Sequence, residues 1–298
     1  MSGSGLGSTA GRVERIDDRL GLAVCRASLS GRTLVTYARD HVTVRTPSRH
    51  DFYDGNTLDL EAAPDPGELD RWVARFSDTI GMLGAQHVQL RWETPLAPDA
   101  PAAPPVPDPD LAAALDRCGF GLTPVTVLLL DEPVAPPPAP GEVVPVAPPS
   151  AEPGGAVDRR WHAATVLYRY ETGEDPEAWR DVDQAFVAWS VDVQRELALA
   201  ERCQLWLTMR HGAPVARLHV VHDGQGLACV EDVIVHPVHR RQGIAATLTY
   251  RAVDAHVQVH AGSRVGIAAE PGSAADRLCR RLGFRSHATV WTARRLPG

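Results

Sequence analysis

The spacing of apolar and polar residues changes several times along this chain of 298 residues, and each change predicts an element. Short apolar runs at 21–27 and 33–37 predict strands, and 57–60 predicts another, after a turn-like stretch at 50–56. Pro64-Asp65-Pro66-Gly67 reads as a helix start. From Glu68, the apolar residues Leu69, Trp72, Val73, Phe76, Ile80 and Leu83 recur at helical spacing until Gly84. A strand follows at 87–92, a short helix at 111–117 closed by Gly119, and a strand at 125–130. Further on, 142–144 predicts a strand, 156–168 and 182–200 predict helices, and 205–210 with 215–221 predicts a hairpin turning at 211–213. The apolar, β-branched run 227–235 predicts a buried strand, with a helical pattern after it through His256. A strand at 264–269, a helix at 273–282 ending on Gly283 and a strand at 289–293 complete the series.

Stretches rich in proline at 95–109 and 133–149 interrupt this order and are too stiff and too poor in donors for regular elements. Together with the length, they predict two domains, 13–139 and 140–298, after a glycine-rich N-terminus that is expected to be disordered over 1–12. The halves share features. Residues 264–270 parallel 87–93, Leu282-Gly283-Phe284 closes a helix as Cys118-Gly119-Phe120 does, and Thr289-Val290 answers Thr126-Val127. A tandem repeat of one fold is expected, of α/β (α+β) class, with mixed sheets flanked by helices.

Composition narrows the function. A net charge of −7 gives no reason to expect a nucleic-acid partner. No run is long enough to span a membrane, and the N-terminus lacks the apolar centre of a secretory signal. The 5 cysteines have no metal-ligand spacing, which fits a reduced, cytoplasmic compartment. All 30 basic residues are arginine. His256 and His260 have HxxxH spacing, but no acid lies between them, so no metal is expected.

The sharpest signal is Leu227 to Leu248, LACVEDVIVHPVHRRQGIAATL. Pro237 stops the strand, a basic turn follows, and Gly243 opens a helix with small residues in its first turn. A helix N-terminus offers unpaired N–H groups and a positive dipole end to an anion, and the arginines add charge. The pattern Arg240-x-x-Gly243-x-Ala245, preceded by Val233-Ile234-Val235-His236-Pro237, resembles the acetyl-CoA signature of the GNAT superfamily of N-acetyltransferases. The predicted element order over 142–294 is the one that this resemblance implies. The tandem arrangement is similar to the mycothiol-synthase branch. The N-terminal copy, with Glu61 and Asp65 and no arginine over 61–67, is expected to be degenerate and to brace the other half or shape its substrate entrance.

The resemblance implies acetyl-CoA as donor, transfer to a primary amine of a small metabolite, and an oligomeric state open between monomer and homodimer. Val233, Ile234 and Val235 would hold the pantetheine arm through backbone, and Arg240, Arg241, Gln242, Gly243, Ile244, Ala245 and Ala246 the diphosphate. Glu270 stands where many members carry an asparagine that contacts the arm. Glu231 is the expected general base, in a motif similar to that of diamine acetyltransferases. Alternation along a strand lets only one of Glu231 and Asp232 enter the cleft, and a reading in which neither acts stays open. Cys279 occupies the place of the usual tyrosine acid, with a packing role as the alternative. Other acyl or aminoacyl donors, and a non-catalytic acyl-CoA-binding module, are the competing readings.

Overall fold

The computed structural model describes residues 19–27, 29, 31, 33–101, 103, 106–149, 155–170 and 184–297. The expected disorder of 1–12 and the first residues of the helix predicted from 182 lie outside them. In order, the elements are α1 (Leu20–Ala27), β1 (Leu34–Tyr37), β2 (His41–Arg45), β3 (Thr57–Leu60), α2 (Leu69–Thr79), β4 (Val88–Pro95), α3 (Pro109–Arg117) and β5 (Gly121–Leu130). The second half adds β6 (Glu142–Val146), α4 (Ala156–Val166), α5 (Gln184–Leu199), β7 (Cys203–Arg210), β8 (Ala213–His222), β9 (Leu227–Val235), α6 (Ile244–Val259), β10 (Arg264–Ala269), α7 (Ala274–Arg281) and β11 (Phe284–Arg295). From β6 onward this is the predicted order.

The strand expected at 21–27 is helix α1. A short apolar run carries no decisive period, and the tertiary setting chooses. Helix α1 lies across the centre of the sheet, where a Cβ added at Gly266 would come within 2.5 Å of Val24 Cγ2. Strand β2 was not expected: His41 and Thr43 are buried along with Val42 and Val44, so no polar face marked it.

All strands join one mixed sheet in the order β1-β2-β3-β4-β11-β5-β10-β9-β8-β7-β6. Each half has a parallel pair, β3 with β4 and β9 with β10, that brackets a helix, α2 and α6 respectively. The last strand of each half is exchanged. β11 of the second half pairs with β4 through Trp291↔Trp92, and β5 of the first half pairs with β10 through Leu128↔Ile267. β5 and β11 also pair with each other through Thr289↔Thr126, so the expected repeat becomes a pseudo-twofold at mid-sheet. The cores follow the exchange. Trp291 and Ala293 pack in the N-terminal core with Trp72, Phe76, Leu90 and Leu115. Leu128 packs in the C-terminal core with Leu248, Val253, Ile267 and Phe284.

Candidate active site

Strands β9 and β10 are paired from Arg264↔Leu227 to Gly266↔Cys229 and then part company. β9 runs on to Val235, held by β8 on one side only. The gap is a cleft of about 830 Å³ that runs from Glu231 and Asp232 along Val233, Ile234 and Val235 to the start of α6, with Ile267, Ala268 and helix α7 as its far wall. The polar groups of the unpaired β9 edge face the space, as they would to receive an added strand.

The turn after β9 is built for an anion. Pro237–His239 makes a single 3₁₀ turn. Arg240 Nε then donates to the Val235 carbonyl at 3.1 Å, tying the turn to the strand end. Arg241 (φ 59°) and Gly243 (φ 78°) take left-handed conformations, which turn the chain into α6. Gly243 is the N-cap of α6, and no side chain caps the helix. Its first N–H groups therefore open on the cleft, beside Arg240, Arg241 and Arg281. In the N-terminal half the corresponding turn closes itself: Asp65 accepts from the Gly67 N–H at 2.7 Å. A carboxylate thus stands in the short 3₁₀ turn that leads into α2.

The two acids of β9 do not alternate. Asp232 has φ 52°, and the β8–β9 register shifts there: Arg217 faces Ile234 and His219 faces Glu231, leaving Asp232 and Val233 opposite Leu218 alone. This bulge corrects the expectation that one acid must face away. Both Glu231 and Asp232 line the cleft. Asp232 sits in a polar cluster: the Tyr168 hydroxyl and Gln194 Nε2 (3.0 Å) donate to its Oδ2, and Arg217 Nη2 lies 3.5 Å away. Burial pushes its carboxyl up, but His219, Arg217 and the two donors more than offset this and hold it below the usual range. His219 is driven down to about 4, chiefly by burial, so its ring is neutral at pH 7. Glu231 Oε1 accepts from the Cys229 thiol at 2.9 Å.

On the other side of these acids lies a second cavity, of about 390 Å³, bounded by both halves. The C-terminal half contributes Tyr168, Gln194, His219 and the α5 residues Phe186 and Trp189. The N-terminal half contributes Cys25, Phe52, Asp54 and Arg91. Phe52 packs on Phe186 and Trp189 with ring centres 5.4 and 5.2 Å apart. Glu231, Asp232 and Ala268 line both spaces.

Most sequence-predicted residues thus meet in one place: Glu231, Val233, Ile234, Val235, Arg240, Arg241, Gly243, Ile244, Ala245, Ala246 and Cys279 all line the cleft. Gln242 does not; it is exposed and accepts from Arg210 at 2.9 Å. Glu270, where many members carry asparagine, is exposed beyond the end of β10 and outside the cleft lining. Cys279 is fully buried against the C-terminal core, and burial lifts its thiol to about 12. Such a thiol is a weak proton donor, and packing explains its position. Sequence reasoning missed Tyr168, Gln194, Arg217, His219 and Arg91. They come from four separate elements, and the only local signal was a polar residue inside an apolar segment, as at Arg217 and Arg91. Among the described residues no group of three or more His, Cys, Asp or Glu stands ready to hold a metal ion, and no helix is long and apolar enough to cross a membrane.

Residues 165–284 match the Acetyltransferase (GNAT) family model. No curated protein matches the sequence. Among solved structures, a functionally unknown conserved protein from Staphylococcus epidermidis is similar over 90% of this chain and 95% of that one, at 11% identity and a TM-score of 0.62. A GCN5-related N-acetyltransferase from Kribbella flavida is similar over 94% and 96%, at 19% identity and a TM-score of 0.57. A tandem GNAT protein from the clavulanic acid biosynthesis pathway is similar over 81% and 75%, at 14% identity and a TM-score of 0.50. These likenesses show the fold along nearly the whole chain. Residues 165–284 are therefore similar to an acetyltransferase domain of the GNAT family, within a fold like that of a tandem GNAT protein.

Proposed function

We propose that the chain transfers an acetyl group from acetyl-CoA to a primary amine of a small molecule. The observation that carries this reading is the shared wall: the cleft along β9 and the cavity between the halves meet at Glu231 and Asp232. A donor held in one and an amine held in the other would have their reacting atoms together there.

The fit to the donor rests on the uncapped start of α6. A Cβ added at Gly243 would meet only Ala139 Cβ, at 3.5 Å, so the turn is open where a diphosphate must approach. The first N–H groups of α6 bind the diphosphate with Arg240, Arg241 and Arg281. The backbone of Val233, Ile234 and Val235 pairs with the amides of the arm. The N–H of Val233 or a neighbour meets the thioester oxygen as it gains charge.

Glu231 takes the amine proton, directly or through water. Asp232, held ionised and fixed by its donors, draws the ammonium in and is the poorer base of the two. Solvent protonates the departing thiolate, since the Cys279 thiol is too weak an acid. Acidic residues at the meeting point favour a cationic acceptor. The N-terminal half supplies acceptor-pocket walls and binds no donor. The five cysteines, which form no disulfide, fit a cytoplasmic site of action.

The test is a panel of small amines assayed for free-thiol release from acetyl-CoA, with mass spectrometry of the product. Amine-dependent thiol release with an acetylated amine is expected. CoA binding without thiol release from any amine would make the chain an acyl-CoA-binding module instead.

A further inference from the structure

The N-terminal wall of the inter-half cavity holds a buried guanidinium with one donor nitrogen left over. Arg91 on β4 is 4% exposed and lines the cavity. Its Nε donates to Asp59 Oδ1 at 2.8 Å, while Arg26 Nη1 takes Asp59 Oδ2, also at 2.8 Å. One fully buried carboxylate thus serves two guanidinium groups. Arg91 Nη2 has no hydrogen-bond partner. A buried charged donor without a partner is rare in folded proteins, because its desolvation goes unrepaid. The nearby acids are otherwise engaged: Asp54 takes Arg294 Nη2 at 2.8 Å and Gln89 Nε2 at 3.1 Å, and Glu93 takes the Leu22 N–H. Glu231 and Asp232, from the C-terminal half, line the same cavity. Cys25, in electrostatic reach of both Arg91 and Glu231, and the rings of Phe52, Phe186 and Trp189 line it as well.

We infer that the acceptor is an amino acid-like molecule, whose carboxylate is received by Arg91 of the N-terminal half while its amine lies at Glu231 and Asp232. The cavity then offers a counter-charge to each charged group of the acceptor, and the aromatic rings cover its apolar side chain. A planar guanidinium with a spare N–H suits a carboxylate oxygen, and the buried setting strengthens the contact. Selection of the acceptor thus becomes the task of the half that has no donor site. The inference rests on the acyl-transfer reading for its chemistry, although the binding it describes does not require turnover.

The experiment compares three acceptors with one aromatic body: an α-amino acid, its carboxamide and its decarboxylated amine. Each is tested with the full chain by calorimetry in the presence of CoA and by thiol release from acetyl-CoA. In the wild type the carboxylate compound should bind, and react in kcat/KM, about 30-fold or more better than the other two, as expected of a buried charge pair. Arg91→Met should bring the three within a few-fold of one another, mainly through KM, and Arg91→Lys should restore part of the preference. Equal treatment of the three by wild type overturns the inference, whether or not the variants fold. So does tighter binding of the phosphonic analogue than of the carboxylate. If the carboxylate compound binds through Arg91 but no thiol is released, the pocket assignment stands and the transfer reading fails. Thiol release without carboxylate preference means the reverse.

Discussion

A single backbone angle reshapes the candidate chemistry. Because Asp232 takes φ 52°, both acids of β9 reach one space, and their environments then separate them. Asp232 accepts from Tyr168 and Gln194 and lies beside Arg217, while Glu231 accepts from the Cys229 thiol, a weak donor. Glu231→Gln should therefore lower kcat by about 10²–10⁴-fold with CoA affinity little changed, and the loss should shrink at high pH, where more of the amine is already neutral. Asp232→Asn should act differently, lowering thermal stability along with activity, because it removes the counter-charge of buried Arg217. Steady-state rates across pH, read beside melting curves, separate the two. A Glu231→Gln enzyme as active as wild type at neutral pH would move the base elsewhere.

At the scale of elements, the halves differ in how a strand hands over to a helix. The β9–α6 turn is basic and uncapped, and the turn that leads into α2 places the Asp65 carboxylate on the Gly67 N–H. One molecule of CoA per chain is the expected calorimetric stoichiometry. Gly243→Asp should abolish that binding while leaving the melting temperature within a few degrees, since asparagine-like residues tolerate the left-handed conformation and the position is open. Unchanged affinity in a folded Gly243→Asp protein would show that the donor binds elsewhere.

The whole molecule is bound together by the exchange of β5 and β11. A chain cut to residues 140–298 would lose the strand between β10 and β11 and expose both, together with the side chains that Leu128 and helix α1 cover. We expect that fragment to be aggregated or partly unfolded by circular dichroism and gel filtration, and co-expression with 1–139 to rescue it. A monomeric, cooperatively melting fragment would show that the exchange is dispensable. The molecule should also weaken in mild acid. His219 titrates near 4 when folded, against an ordinary value near 6.5. Between those values the unfolded chain binds the proton and the folded one does not. The stability contributed by the neutral ring is therefore present above pH 6.5 and lost as pH falls towards 4, by a few kcal/mol at most. His256, also lowered to about 4 by burial beside His260 and His222, adds in the same direction. Melting temperatures from pH 7 to pH 4 check this, and His219→Asn should flatten the decline.

What the sequence alone determined is local. Residues 227–248 carry strand, stop, basic turn and helix start within one stretch, so the basic turn and the acid pair could be located without a fold. The element order of the second half, and the likeness between the halves, were legible for the same reason: periodicity and helix-end glycines such as Gly119 and Gly283 act through near neighbours. Only the tertiary structure decided what depends on distant partners. The run at 21–27 became helix α1 because the sheet centre was there to cover it. Glu231 and Asp232 share a face because β8 forces a bulge opposite Leu218. The exchange of β5 and β11, which brings Arg91 of one half and Glu231 of the other to one cavity, leaves no trace in either segment's pattern. A strand buried on both faces reads the same whichever neighbour it pairs with.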